Sequence, residues 1–252
     1  MQSLGHPLSA SANIPVFVPY GTAHLVVIAL TILLPLAFAG AVRRTKSRAL
    51  ERVIVSILTL ILLANYIGYV IFIRGLGEQR WSQMLPMQLC DWAMFAVLVA
   101  LWTGRPRWFE IAYFWGIGGT LQAIVTPNLQ FGFPDFHFIG FFVTHCGIVV
   151  GILFLMLAHH LRPQPMSIVH VFLWTEIYFV IALTTDTITD VNYGFLLHKP
   201  EAKTLLTALS DNHALYLVEM HLLALVFFTV LYLPFAAADL LRKNASHQGA
   251  QG

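Results

Sequence analysis

Residues 85–92 read Leu-Pro-Met-Gln-Leu-Cys-Asp-Trp and open the third of seven apolar stretches. An amide (Gln88), a thiol (Cys90) and a carboxylate (Asp91) therefore stand where the chain enters an apolar segment. Polar side chains at membrane depth are costly, so they face a cavity or a partner and carry function. Reading the fold becomes a matter of counting the helices around this corner and asking what each brings to it.

Working outward, the apolar runs cover 22–42, 53–73, 85–102, 109–126, 138–158, 167–185 and 213–236. Each is close to the roughly 17–25 residues that a membrane-crossing helix needs. The whole chain of 252 residues is 58% hydrophobic and 10% charged, with a mean hydropathy of +0.75. Soluble domains carry about 25% charged residues. These features predict an all-α, polytopic membrane protein: one integral domain over 1–252, built as a seven-helix transmembrane bundle, because in lipid the backbone must satisfy its own hydrogen bonds. A net charge of +2, with the basic residues spread by topology rather than gathered in a binding face, argues against nucleic acid. The first twenty residues show no charged leader and no cleavage site of the signal-peptide kind.

Orientation follows from lysine and arginine. With the N-terminus outside, ten of these residues fall on the inner side and four on the outer side. The positive-inside rule then predicts N-out, C-in. In that frame Cys90 lies roughly 8 Å along the third segment and His145 roughly 10 Å along the fifth, at about 1.5 Å per residue. Asn65, Gln122, Thr126, Asn128, Asp186, Glu219 and His221 also fall in outer halves or at outer ends, which predicts a polar cavity open to the outer leaflet. Two outer loops look structured: 127–137, with two prolines and a glycine, and 186–212, an apolar and aromatic stretch that reads as a lid.

A cysteine and a histidine at one depth are the pair that nucleophilic acyl chemistry needs. The thiolate attacks and the imidazole takes its proton. Gln88, Asn128 or a backbone N–H could hold the oxyanion. Asp91 or Asp186 could orient the imidazole, with Asn192, Tyr193 and Glu219 in support. Asp91 is a weaker partner, because its side chain points about 100° away from Cys90 on a helix. Other readings stay open. Cys90 could be a small buried hydrophobe, His145 a packing residue, and Cys90 and Cys146 a disulfide. His137, His145, His213, His221, Glu219, Asp186 and Asp190 could supply a metal-dependent hydrolase, although no His-Glu-x-x-His or i, i+4 histidine pair is present. A small-molecule transporter or sensor would also line its path with such groups.

Several motifs occur in a telling order: Leu85-Pro86-Met87-Gln88-Leu89-Cys90, Gln122-Ala123-Ile124-Val125-Thr126-Pro127-Asn128, Phe141-Phe142-Val143-Thr144-His145, Thr184-Thr185-Asp186, Asn192-Tyr193-Gly194-Phe195-Leu196 and Lys199-Pro200. In this order and spacing the chain resembles the YwaF-like bacterial membrane proteins, which are similar to transmembrane protein 164 of animals. The resemblance runs from the second apolar segment to the seventh. It implies a phospholipid acyltransferase that moves an acyl chain between glycerophospholipids, with Cys90 and His145 as the catalytic pair by motif. It implies membrane phospholipids and lysophospholipids as partners, no cofactor, and residence in the bacterial cytoplasmic (inner) membrane. Residues 210–216, Ser-Asp-Asn-His-Ala-Leu-Tyr, depart from the tryptophan-rich form of the bacterial members.

Overall fold

The computed structural model describes residues 15–75, 77, 80–127, 129–200 and 204–249. In chain order its helices are α1 (Thr22–Thr45), α2 (Arg48–Gly75), α3 (Leu89–Thr103), α4 (Pro106–Trp115), α5 (Leu121–Val125), α6 (Phe136–His159), α7 (Ser167–Thr189) and α8 (His213–Gly249). Among the described residues the strand-type pairing is a single antiparallel bridge, Val16 with Phe131.

Among the described residues, five helices are long and apolar enough to cross a membrane: α1, α2, α6, α7 and the His213–Lys243 part of α8. Helix α3 is apolar but has 15 residues, a length of about 22 Å against a hydrocarbon core of about 30 Å. Helices α4 and α5 are joined by a π-turn, Gly116–Thr120, and the backbone remains right-handed helical at Trp115 and Leu121. Residues 106–125 are therefore one continuous rod. Gly116, Gly118 and Gly119 sit in the turn, where glycine's weak helix preference yields most easily to the wider winding.

Segment boundaries shift from the sequence reading for identifiable reasons. The third helix begins at Leu89 rather than at 85, because Pro86 holds Leu85 extended, with φ −66° and ψ 146°. The fourth begins at Pro106, a residue pre-shaped for a first helical position. Helix α1 runs on to include Arg43 and Arg44 in its last turn, where positive charge meets the negative end of the helix dipole. Helix α8 continues past 236 to Gly249.

Helix α6 is the central post, packed by α1, α2, α3 and the 106–125 rod. Glycines let its neighbours come close. A Cβ on Gly147 would stand 2.6 Å from Leu62 of α2, and one on Gly151 would stand 2.9 Å from Val97 of α3. The rod returns the favour at Gly116, where a Cβ would meet Ile152 at 2.5 Å and Ile148 at 2.9 Å. In lipid, apolar area gives no preference for helix over solvent, so close packing and hydrogen bonds must do the joining. Asn65 of α2 donates to Gly140 O at 3.0 Å and to Thr144 Oγ1 at 2.9 Å on α6. Buried His24 of α1 accepts from Tyr20 N at Nδ1, which leaves Nε2–H to donate to Ile124 O at 2.8 Å.

This packing predicts that Gly116→Val destabilises the protein by about 1–3 kcal/mol through overpacking. Gly40→Ala, at a position with nothing within 4 Å, should be close to neutral. Thermal unfolding in detergent checks both.

Candidate functional site

Ahead of α3, residues 82–88 form a strap that is mostly not α-helical. Its polar backbone groups are met by side chains from the α7 side and from α3 itself. Tyr193 Oη donates to Ser82 O at 2.6 Å and accepts from Leu85 N at 3.1 Å. Tyr178 Oη donates to Met87 O at 3.0 Å, and Trp92 Nε1 donates to Pro86 O at 3.0 Å. Gly194 N donates to Gln88 Oε1 at 3.4 Å. Gly194 has φ +59°, and a Cβ there would stand 2.7 Å from Tyr178 Oη, so this position requires glycine on both counts. Tyr193 is itself buried and seated by Asp186, whose Oδ1 accepts from Tyr193 N at 2.9 Å. Burial raises the Tyr193 phenol above its ordinary pKa, which keeps its proton in place for donation.

The strap delivers Cys90 to the first turn of α3. The Thr120 hydroxyl donates to Cys90 Sγ at 3.9 Å, and Thr120 is fully buried at the end of the π-turn. Cys90 shares its strip of α3 with Met94, Val97 and Leu101 by helical spacing. Val97 and Leu101 are the residues that meet Gly151 of α6, so the thiol lies on the α6 side of α3.

The rod and α6 run antiparallel. Gly116 lies against Ile148 and Ile152, while Ile124 shares a cluster with Phe138 and Phe142. Thr120 is about 6 Å along the rod from Gly116, which sets it opposite the turn that contains His145. His145 precedes Ile148 and Ile152 by three and seven residues and so shares the face they present to the rod. Helical spacing thus puts Cys90, Thr120 and His145 on the faces that α3, the rod and α6 turn towards one another. The described hydrogen bonds join Cys90 to Thr120 and do not join it directly to His145. His145 Nδ1 lies 2.7 Å from Phe141 O. A carbonyl only accepts, so Nδ1 carries the hydrogen and Nε2 of the neutral ring is the available base. The ring stacks on Phe141 at 4.1 Å.

The other sequence-derived residues are placed as follows. Asp91 closes back on the start of its own helix, with Oδ2 accepting from Gln88 N at 3.1 Å. Asp186 Oδ2 is buried and has no hydrogen-bond partner among the described residues. Asn192 shapes the lid: its Oδ1 accepts from Leu197 N at 2.9 Å and its Nδ2 donates to His198 O at 2.9 Å. Glu219 accepts from Ser210 N at 2.6 Å, at the far end of the same loop. Asn128 lies outside the described residues, as does Lys203 of the charge count.

Both cysteines are free thiols. Among the described residues no three His, Cys, Asp or Glu side chains converge on a point where a metal could sit. Among the described residues, an apolar groove of about 360 Å³ lies against the strap at Pro86 and Met87, and a polar basin of about 370 Å³ lies between residues 197–199 and Ser210, Asp211, His213 and Tyr216; neither is lined by Cys90 or His145.

Thr120, Tyr178 and the Phe141 carbonyl were missed from the sequence. Thr and Tyr within apolar runs look like packing residues, and a carbonyl leaves no trace in a sequence. The cluster Gly116-Ile117-Gly118-Gly119-Thr120 was the available signal, since so much glycine inside an apolar helix calls for a local reason.

In the basin, Lys199 Nζ donates to Asp211 Oδ1 at 2.7 Å and also to Leu209 O. The ammonium holds the Asp211 carboxyl below its ordinary 3.8. A depressed carboxylate stabilises the fold above its unfolded pKa and loses that contribution as pH falls through the folded one. Pepsin cleavage around 204–213 should therefore accelerate as pH is lowered below 3.8, and Asp211→Asn should show the faster cleavage already at pH values above it. At the strap, Tyr193→Phe strands Ser82 O and Leu85 N at a cost of about 1–3 kcal/mol. Amide hydrogen exchange over 82–90 should rise in that variant while exchange in the centre of α6 stays unchanged.

An uncharacterized protein of Treponema pallidum (strain Nichols) is 28% identical over 157 residues, which is 61% of this chain and 63% of that relative. The match thus spans less than two thirds of the relative's length. No solved structure matches. A profile of the TMEM164 family matches residues 19–232, a span that takes in the strap, the rod, the lid and α6. The chain belongs to the TMEM164 family.

Proposed function

We propose that the protein is a membrane-embedded lipid acyltransferase that moves an acyl chain between glycerophospholipids through a thioester on Cys90. The observation that carries this reading is the Thr120 hydroxyl on Cys90 Sγ at 3.9 Å, beside a helix on which the Phe141 carbonyl holds His145 Nδ1 and leaves Nε2 as the base. Membership of the TMEM164 family supports it.

In the first half-reaction the Cys90 thiol gives its proton to His145 Nε2 and its sulfur attacks the ester carbonyl of a donor phospholipid. The carbonyl oxygen becomes an oxyanion, for which the Gln88 amide, positioned by Gly194, supplies donors. Collapse of this intermediate breaks the ester C–O bond. The departing lysophospholipid oxygen takes the proton back from His145, leaving the acyl group on sulfur. In the second half-reaction an acceptor hydroxyl gives its proton to Nε2 and attacks the thioester carbonyl; the sulfur leaves and regains the proton. Thr120 donates to sulfur in both halves and eases the build-up of negative charge there. Water in place of the acceptor makes the same site a lipid hydrolase.

The bundle crosses seven times in this reading, with α3 and the rod as the two additional spans and with the N-terminus outside, in a bacterial cytoplasmic membrane. A transporter is the second reading. It is favoured by two His–carboxylate pairs on α7 within the apolar layer: His170 with Glu110 at 3.1 Å, and Glu176 with His221 at 3.3 Å.

The test is acyl transfer by purified protein in lipid nanodiscs, with a labelled diacyl phospholipid and an unlabelled lysophospholipid. Wild type should move label to the acceptor. Cys90→Ala should abolish transfer. His145→Ala should lower it by about 10²–10⁴-fold, the range for loss of a general base. Thr120→Val, which keeps the shape, should lower it by about tenfold, or about 1.4 kcal/mol of barrier. Label released as free fatty acid would make the enzyme a hydrolase. Solute uptake that survives Cys90→Ser but fails in His221→Gln would replace the acyl-transfer reading with transport.

A further inference from the structure

The groove of about 360 Å³ lies between α3, the rod and α7. Trp92, Phe95, Ala96 and Val99 supply its α3 wall. At 100° per residue these positions lie about 140–240° round the helix from Cys90. The groove and the thiol are therefore on opposite sides of α3.

Its character is apolar throughout. The lining holds no charged, amide or hydroxyl side chain. Two of its indoles have their N–H groups tied elsewhere: Trp92 to Pro86 O at 3.0 Å and Trp115 to Thr175 Oγ1 at 3.0 Å. Aromatic rings and aliphatic side chains line the space. A cavity so lined does not hold water, yet its volume falls within the roughly 300–1,000 Å³ of ligand sites.

Position identifies the occupant. The wall helices are apolar, and Phe95 at the wall is 41% exposed on the outer surface of α3, as is Trp102 further along at 57%. The groove thus continues the lipid-facing surface and opens sideways towards hydrocarbon. One end is the strap at Pro86 and Met87; the other is closed by Trp108 and Trp174, whose rings lie 5.7 Å apart. From Trp92 to Val99 it runs about 10 Å along the helix axis. At this depth the bilayer offers methylene chains.

We propose that this groove seats an acyl chain of a membrane phospholipid, and that this chain is one that is not transferred. The second clause rests on the acyl-transfer reading; the first stands without it. The chain braces the site from behind. Trp92 holds the Pro86 carbonyl of the strap, and Trp115 immediately precedes the π-turn that carries Thr120. An occupied groove backs both walls.

The experiment uses the full chain in nanodiscs doped with a phosphatidylcholine that carries a diazirine in one acyl chain. After irradiation, adducts are mapped by peptide mass spectrometry. Wild type should concentrate adducts on peptides containing Trp92–Val99 and Trp108–Trp115, at least fivefold above the α8 peptide with lipid-facing Leu222 and Val226. Cys90→Ala should give the same map. Val99→Trp, which fills the groove from its half-buried wall, should lower the groove adducts at least fivefold with an unchanged size-exclusion profile. Adducts spread evenly over α8 and the groove would mean ordinary boundary lipid and would overturn the proposal. So would full labelling in a folded Val99→Trp. If that variant does not fold, the wild-type map decides alone. Concentrated adducts with no acyl transfer in wild type would leave the chain site standing and remove only its description as a non-transferred chain.

Discussion

The structure depends on satisfying the backbone of residues 82–88 inside an apolar bundle. Pro86 keeps this strap from continuing as helix, so its carbonyls and Leu85 N–H need partners from elsewhere. An unpaired backbone group in such surroundings costs several kcal/mol. Tyr193, Tyr178 and Trp92 supply the partners, and two of the three come from the α7 side of the molecule. The lid therefore takes part in positioning the thiol. Asp186 and Gly194 act through it, one by seating the Tyr193 backbone, the other by leaving room for the Tyr178 hydroxyl.

Around that strap the helices are joined by the means that work in lipid. Small residues on α6 and on the rod allow close contact, and a few buried hydrogen bonds fix the register. The π-turn at Gly116–Thr120 serves both ends. Its first glycine admits Ile148 and Ile152 of α6, and its last residue turns a hydroxyl towards Cys90. A regular helix over the same residues would rotate everything after the turn, so the link between close packing and the Thr120 contact is geometric.

The polar residues at this end of the bundle divide by task. Asp91, Asn192 and Glu219 are spent on helix starts and loop shape. His145 receives its orientation from the Phe141 carbonyl one turn earlier on its own helix, so no carboxylate is required to set its tautomer. Two spaces of opposite character lie nearby, an apolar groove behind α3 and a polar basin under the 186–212 loop.

Apolar runs, charge deficit and the motifs around Cys90 and His145 were legible in the chain, because composition and spacing are properties of the chain itself. They determined a helical membrane protein of this family and singled out the thiol and the imidazole. Tertiary structure alone decided which groups touch them. Thr120 reaches Cys90 across 30 residues, and Tyr193 reaches the strap across 111. The register of helices that sets such contacts depends on where glycines let backbones approach and on where a turn widens. Neither quantity is written in the periodicity of any one segment. The physical reason is that hydrophobic pattern reports which face of a helix is apolar, whereas a site is made by the phase between helices.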